Sequence, residues 1–242
     1  MIYFAGDFHL GLDGQDKSTD REKKICAWLD ACSRDAQHIY LMGDLFDFWF
    51  EHKRVVPKGH VRFLAKLAEI SERVPVTVFR GNHDLWMGDY IETTCGVTLV
   101  DGPISVEHYG KRLYIHHGDG LGKGDRGYKA LKSIFKNPVA QWAFARLLHP
   151  DFALKLALAW SKNSRAKQSA PSFDQNQGEQ LFNYCESLIA AGDQHDFYVF
   201  GHRHLTLDLV LSNASRYINP GTWLGPGRYA QLSPEGEMVL LS

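Results

Sequence analysis

Apolar and polar positions along the first half of the chain follow two alternating patterns. Short runs that are almost wholly apolar, Ile2-Tyr3-Phe4-Ala5, Ile39-Tyr40-Leu41-Met42, Val76-Thr77-Val78-Phe79 and Leu113-Tyr114-Ile115, with Phe197-Tyr198-Val199-Phe200 later on, read as buried strands. Between them apolar residues recur at helical spacing: Ile25, Trp28, Leu29 and Cys32 within 20–32, and Phe63, Leu64, Leu67 and Ile70 within 61–70. Strand and helix in alternation predict an α/β sheet. After Asp119 the pattern changes. Gly120, Gly122, Gly124 and Gly127 crowd a loop that opens into a mostly helical stretch reaching about Pro171. There Asn137-Pro138 reads as an N-cap followed by proline at the first helical position, and His149-Pro150-Asp151 separates a second helix. The expectation is one domain over 1–242 carrying a helical-hairpin insertion at about 122–171. A further helix at about 176–191 and strand candidates at 216–218 and 238–241 close the chain.

With 242 residues and 44% hydrophobic content, one large domain can bury a core without covalent staples. The formal charge of -1 excludes the strongly basic balance of a nucleic-acid binder, so no nucleic-acid partner is expected. An anionic substrate must instead be held by metals and a few placed side chains. Cys26, Cys32, Cys95 and Cys185 show no C-x-x-C pairing and read as small core residues in a reducing compartment. The chain enters a strand at once and has no apolar stretch of the ~18 residues a membrane span needs, so a cytoplasmic location is expected, membrane-surface contact remaining open.

Each apolar run leads into a segment rich in metal-binding side chains on a glycine hinge: Asp7-Phe8-His9, Gly43-Asp44-Leu45-Phe46-Asp47, Gly81-Asn82-His83-Asp84, His117-Gly118-Asp119 and Gly201-His202-Arg203-His204. Strands ending in such loops are expected to place the ligands along one edge of a sheet, where α/β proteins keep their sites. Singly the segments are weak signals, Gly-Asp being often only a turn. Five in order describe a centre for two divalent cations, which about 3.5–4 Å apart clamp a phosphate ester and activate water. Asp44 is the bridging carboxylate; Asp7, His9 and His204 complete one site, and Asn82, His117 and His202 the other. Nitrogen and oxygen donors without thiolate suit Mn²⁺, Fe²⁺ or a catalytic Zn²⁺. Asp47 and Asp84 lie one step outside, where carboxylates orient ligand imidazoles. His116 has the wrong strand parity to share the site with His117. His38, His52, His60, His108, His149 and His195 read as surface or capping residues.

These motifs, from Asp7 to His204, resemble the calcineurin-like metallophosphoesterases, whose order is Asp-x-His, Gly-Asp-x-x-Asp, Gly-Asn-His-Asp, a strand-end His and Gly-His-x-His. The resemblance implies a four-layer α-β-β-α sandwich and phosphate-ester hydrolysis at a dinuclear centre. Phe48-Trp49 after Asp47, together with the helical insertion, is similar to one subgroup, the UDP-2,3-diacylglucosamine hydrolases of lipid A synthesis. That likeness implies a peripheral protein on the cytoplasmic face of the inner membrane. Its substrate would be the UDP-linked diacyl sugar, its products UMP and 2,3-diacylglucosamine 1-phosphate, its metal Mn²⁺, and its insertion a lid over acyl chains. Asp125, Gly127 and Tyr128, and then Asn163-Ser164, match that subgroup's segments, and the likeness implies that Asp125, Tyr128 and Ser164 are substrate contacts beside Asn82, His83 and His202.

The chain departs from the subgroup at His83, where known members carry Arg, and at Arg203, where they carry Thr. His83 has two readings, a catalytic imidazole that protonates or stabilises the leaving oxygen, and a structural residue. The insertion has two as well. Trp142, Phe144, Leu147, Leu148, Phe152, Leu154, Leu156, Leu158 and Trp160 line an acyl groove or pack the hairpin on the body. Lys155, Lys162, Arg165 and Lys167 fit an anionic membrane or a solvated face. The alternative function is a phosphoesterase for a soluble nucleotide diester or phosphomonoester. A non-enzymatic scaffold, also known for this fold, is disfavoured by the complete ligand set.

Overall fold

The computed structural model describes residues 1–14, 16–122, 132–167 and 179–242, with side chains in the helix ending at Lys167 described as far as Ala159. In one sheet, β1 (Ile2–Ala5), β2 (His38–Leu41), β3 (Val76–Phe79) and β4 (Thr98–Val100) run parallel. The other holds β5 (Ile104–His108), β6 (Lys111–His116), β7 (Phe197–Phe200), β8 (Leu207–Val210) and β9 (Arg216–Asn219) in the order β5-β6-β7-β9-β8, its three central strands parallel. Antiparallel β10 (Tyr229–Leu232) and β11 (Met238–Leu241) extend the first sheet beyond β1.

The central strands β1, β2, β3 and β7 are apolar on both faces because both faces are covered. Ile2 and Phe4 point between the sheets, into a cluster with Leu113, Ile115, Val199 and Ile218. Tyr3 and Ala5 point the other way, toward Ile25 and Leu29 of α1 (Ser18–Cys32) and Phe63 and Leu67 of α2 (Val61–Ser71). The short α3 (Tyr90–Cys95) adds Ile91 and Cys95 to that layer. Two helices, α4 (Pro138–Leu147) and α5 (Pro150–Lys167), precede α6 (Gln180–Ala190), whose Leu181 and Cys185 cover Tyr114, Tyr198 and Phe200 on the outer face of the second sheet. The result is the four-layer α-β-β-α sandwich. Each fully buried Leu, Ile or Phe contributes roughly 1.5–3 kcal/mol, so the core fixes where the strands' carboxyl ends lie.

Asn137 caps α4 as its sequence predicts, accepting hydrogen bonds from the N–H groups of Val139 and Ala140 at 2.8 and 3.2 Å. One aromatic cluster seats the helix: the ring of Phe144 lies 4.8 Å from Phe50 and 4.7 Å from Trp86. Trp142, Leu147, Phe152 and Leu156 are more than half exposed, whereas Leu154 is half-buried. Among the described residues no helix is long and apolar enough to cross a membrane.

The five ligand-bearing segments do not share one sheet edge as expected. Asp7, Asp44 and Asn82 follow β1, β2 and β3 of the first sheet, and His117 and His202 follow β6 and β7 of the second. The site therefore spans the carboxyl ends of two facing sheets, because strand pairing depends on long-range contacts that a run of apolar residues does not encode.

Candidate metal centre

Short loops bring the seven donor residues together, with close approaches that only glycine permits. A Cβ on Gly81 would lie 2.1 Å from Asp44 Oδ1, and one on Gly43, at φ +91°, 2.8 Å from His117 Nδ1. Donor atoms of Asp7, His9, Asp44 and His204 lie within 4.8 Å of one another, and so do those of Asp44, His117 and His202. Asp44 belongs to both groups. Its Oδ2 is 3.8 Å from His9 Nε2 and its Oδ1 is 3.5 Å from His117 Nε2, while Asn82 Oδ1 stands 3.3 Å from the same His117 nitrogen. His204 Nε2 is 3.2 Å from Asp7 Oδ1 and 3.0 Å from His9 Nε2.

The donor chemistry fits cations. His117 Nδ1 lies 2.7 Å from the carbonyl of Met42, which can only accept, so Nδ1 carries the proton and Nε2 turns a lone pair toward the oxygens of Asp44 and Asn82. Lone pairs facing lone pairs in a buried site need positive charge between them. The shifts express the same demand met by protons. Burial lowers the affinity of His117 for a proton, but Asp44 and Asp7 outweigh it and raise the pKa to about 10. Burial alone would raise Asp44, yet the imidazoles of His117, His83 and His9 hold it well below the usual carboxylate range. His202, half-buried beside His117, is pushed down to about 4 by desolvation and by that neighbouring imidazole.

His83 stands next to the first group, its ring edge-on to His9 at 4.8 Å; with Asp47 and His9 it makes a third donor cluster. Its backbone N–H donates to Asp44 Oδ1 at 2.9 Å and its Nδ1 to the Asp47 carbonyl at 2.9 Å. The Asp47 carboxylate lies 3.8 Å from His9 Nδ1 and 3.6 Å from His83 Nδ1. Asp84 does something else. Its two oxygens accept from the N–H groups of Gly81 and Leu45, both at 2.7 Å, so it ties two loops together rather than orienting an imidazole; burial and the nearby Asp44 raise its pKa to about 6. Asp125 and Tyr128 lie outside the described residues, as does the side chain of Ser164.

Sequence reasoning passed over the residues that anchor these loops. Arg21 is buried and donates to the carbonyls of Phe8 and His9 at 2.7 and 2.8 Å and to that of Leu12. Asn219 donates to the Gly201 carbonyl at 2.7 Å, while Thr222 Oγ1 and the Trp223 N–H reach the carbonyl of Asp7 at 3.0 and 3.1 Å. The available signals are an Arg one turn before Ile25, on the helix face that carries Ile25, Trp28 and Leu29, and the strand-end turn Asn219-Pro220-Gly221-Thr222. Arg203, one of the departures, forms a 2.7 Å ion pair with buried Glu179 at the start of α6. His195, expected as a surface or capping residue, is 7% exposed between Tyr114 and Tyr198.

The sequence pattern that defines the calcineurin-like phosphoesterases matches residues 1–205. The chain belongs to that family. Among relatives of this phosphoesterase, a Porphyromonas gingivalis protein named UDP-2,3-diacylglucosamine hydrolase is 36% identical over 244 residues, covering 95% of this chain and 92% of the relative. Proteins of the same name from Shewanella pealeana and Chromobacterium violaceum are 28% and 27% identical, over 96% and 97% of this chain and 94% and 96% of theirs. A solved structure described as a novel archaeal phosphodiesterase has a TM-score of 0.50 at 13% identity, over 99% of this chain and 98% of that one, a likeness of fold alone.

Proposed function

We propose that this phosphoesterase hydrolyses the pyrophosphate bond of UDP-2,3-diacylglucosamine, giving UMP and 2,3-diacylglucosamine 1-phosphate. The observation that carries the reading is a juxtaposition. Phe50 and Trp86, which seat α4, come directly after the loops bearing Asp44 and Asn82; α4 exposes Trp142 and Leu147, and α5, next in the chain, exposes Phe152 and Leu156. A charged reacting centre beside an exposed apolar surface suits a substrate that is a nucleotide at one end and a lipid at the other. The name borne by the 36% identical relative supports the same reading.

In this reading Asp7, His9, Asp44 and His204 hold one divalent cation, and Asp44, Asn82, His117 and His202 the other, Mn²⁺ first and Fe²⁺ or Zn²⁺ as alternatives the donors also suit. When bound, the pair supplies Lewis-acid polarisation of the phosphoryl group and activation of the attacking water. His83, its Nδ1 held by the Asp47 carbonyl, donates a proton from Nε2 to the leaving oxygen or stabilises the charge there. Asn82 and His202 also meet the substrate, as do Asp125, Tyr128 and Ser164 from the insertion at about 122–171. The apolar residues of α4 and α5 take the acyl chains, and the same surface seats the protein peripherally on the cytoplasmic face of the inner membrane.

A substrate panel with Mn²⁺ tests the proposal: the UDP-linked diacyl sugar, simple nucleotide diesters and phosphomonoesters. The expected result is a kcat/KM for the diacyl sugar at least about 10²-fold above the others, the ~3 kcal/mol that burying a few acyl methylenes readily supplies. Equal efficiency on the soluble compounds would transfer the assignment to them.

A further inference from the structure

At the amino end of β7, opposite the loops that carry the metal donors, three side chains unused by phosphate hydrolysis are arranged in series. His195 is buried, with the rings of Tyr114 and Tyr198 each 5.6 Å away. Its Nδ1 bonds to Asp193 Oδ1, and its Nε2 lies 2.5 Å from Ser105 Oγ. Donor chemistry assigns the protons. Burial pushes the Asp193 carboxyl up, but hydrogen bonds from Tyr198 and His195 hold it below its ordinary value, so Asp193 is ionised and only accepts. Nδ1 therefore carries the ring proton, Nε2 offers a lone pair, and the Ser105 hydroxyl donates to it. Ser105 is exposed, on the edge strand β5.

We propose that Ser105, His195 and Asp193 form a second, metal-independent site that cleaves acyl esters, with Ser105 as the nucleophile. The atoms follow the order that acyl transfer requires: hydroxyl to Nε2, Nδ1 to carboxylate. Ser105 Oγ bonds to the ester carbonyl carbon as its proton passes to His195 Nε2, and the carbonyl electron pair moves onto oxygen. When that pair returns, the C–O bond to the alcohol breaks and the alcohol leaves with the proton from Nε2. Water then adds in the same way, giving its proton to Nε2; the carboxylic acid departs and Ser105 regains its hydrogen. Asp193 stabilises the imidazolium formed in each half. β5 has a neighbour on one side alone among the described strands, so its open edge offers backbone N–H donors to the oxyanion. An exposed serine on a strand edge suits small acyl esters or the accessible end of a flexible one.

The test uses the full chain carrying Asp44→Ala and freed of metal, so that the phosphoesterase centre contributes nothing. A fluorophosphonate probe should label this protein at Ser105, as mapped by peptide mass spectrometry, and the protein should hydrolyse p-nitrophenyl acetate. Ser105→Ala should abolish both, and in the otherwise native enzyme leave phosphoesterase activity unchanged. Asp193→Asn and His195→Gln should slow labelling by about 10²–10⁴-fold, the contribution of a positioned general base. Thermal melts identify any variant that fails to fold, and the urea-unfolded chain, which should not label, serves as a second control. Absence of label at Ser105, or equal rates in the folded protein, the folded Asp193→Asn variant and the unfolded chain, would overturn the proposal.

Discussion

Arg21 sends its guanidinium from α1 beneath the loop that carries His9, and replacing it by Met removes every bond it makes there. Two of its three carbonyl partners, those of Phe8 and His9, are buried; the third, Leu12, is only half-covered and can turn to water. Two buried acceptors left unpaired cost about 1–3 kcal/mol each, and relief from desolvating the guanidinium returns part of that. A net loss of about 2–4 kcal/mol follows. For a chain of this length, at roughly 2–4 °C per kcal/mol, the melting temperature should fall by about 5–15 °C. The functional effect should appear in metal affinity, because the lost bonds position a proposed ligand without touching substrate. The Mn²⁺ concentration for half-maximal activity should rise about 10–100-fold, with kcat at saturating Mn²⁺ within a few-fold of native. Arg21→Lys, which keeps the charge but cannot fork between carbonyls, should fall between the two. An unchanged Mn²⁺ midpoint, or a loss of kcat that excess metal does not restore, would refute the reasoning.

Asp44→Ala should lose both bound metal and turnover, since the residue belongs to both donor groups; metal analysis of the purified variant showing two equivalents retained would remove Asp44 from its bridging role. His83→Ala should lower kcat by about 10²–10⁴-fold with metal content intact, whereas metal loss would make His83 a ligand. Acid should weaken the fold through His38. Burial, and then His108, lower its pKa from 6.5 to about 4, so the unfolded chain takes up a proton that the folded one refuses. Stability should therefore fall as pH drops from about 6.5 to about 4, and His38→Gln should flatten that part of a melting-temperature profile. Glu in place of Phe152 or Leu156, 57% and 52% exposed, should raise KM for the diacyl sugar and leave turnover of a short soluble diester unchanged; equal losses on both substrates, with a lowered melting temperature, would make the helices ordinary core.

The parts legible in the sequence are those where one local pattern has one outcome. Ile2-Tyr3-Phe4-Ala5 is apolar throughout because both its faces are covered, and Asn137-Pro138 announces a helix start through capping chemistry confined to four residues. β5 and β8, Ile104–His108 and Leu207–Val210, escaped notice because they are edge strands of half-exposed alternating residues, indistinguishable from loop without their partners. In the centre itself, Asp and His side chains declare their donor atoms by residue type. Their orienting partners do not. The group that fixes the His117 ring is the carbonyl of Met42, an atom every residue possesses, and Asp84 binds backbone N–H groups that no pattern marks.

Backbone conformation explains why so many anchors converge on these loops. Asp7, His9, Asp44, His202 and His204, five of the seven proposed donors, have φ between 45° and 68°, a left-handed region that non-glycine residues enter at roughly 1–3 kcal/mol each. Taken together that approaches the entire net stability of a typical domain, about 5–15 kcal/mol. Such strain persists only where surrounding structure over-determines it. Here the restraints come from elements the core has already fixed: Arg21 from α1, Asn219 from the end of β9, and Thr222 just beyond it. The sandwich thus stabilises loop conformations that the loops would not adopt alone, and brings the donors together at the carboxyl ends of the two sheets. Bound metal then recovers part of what the strain removes, by about 2.7 kcal/mol at a concentration 100 times its Kd. Loosening an anchor shifts that balance before it touches the chemistry, which is why metal affinity responds first to Arg21 and kcat to His83.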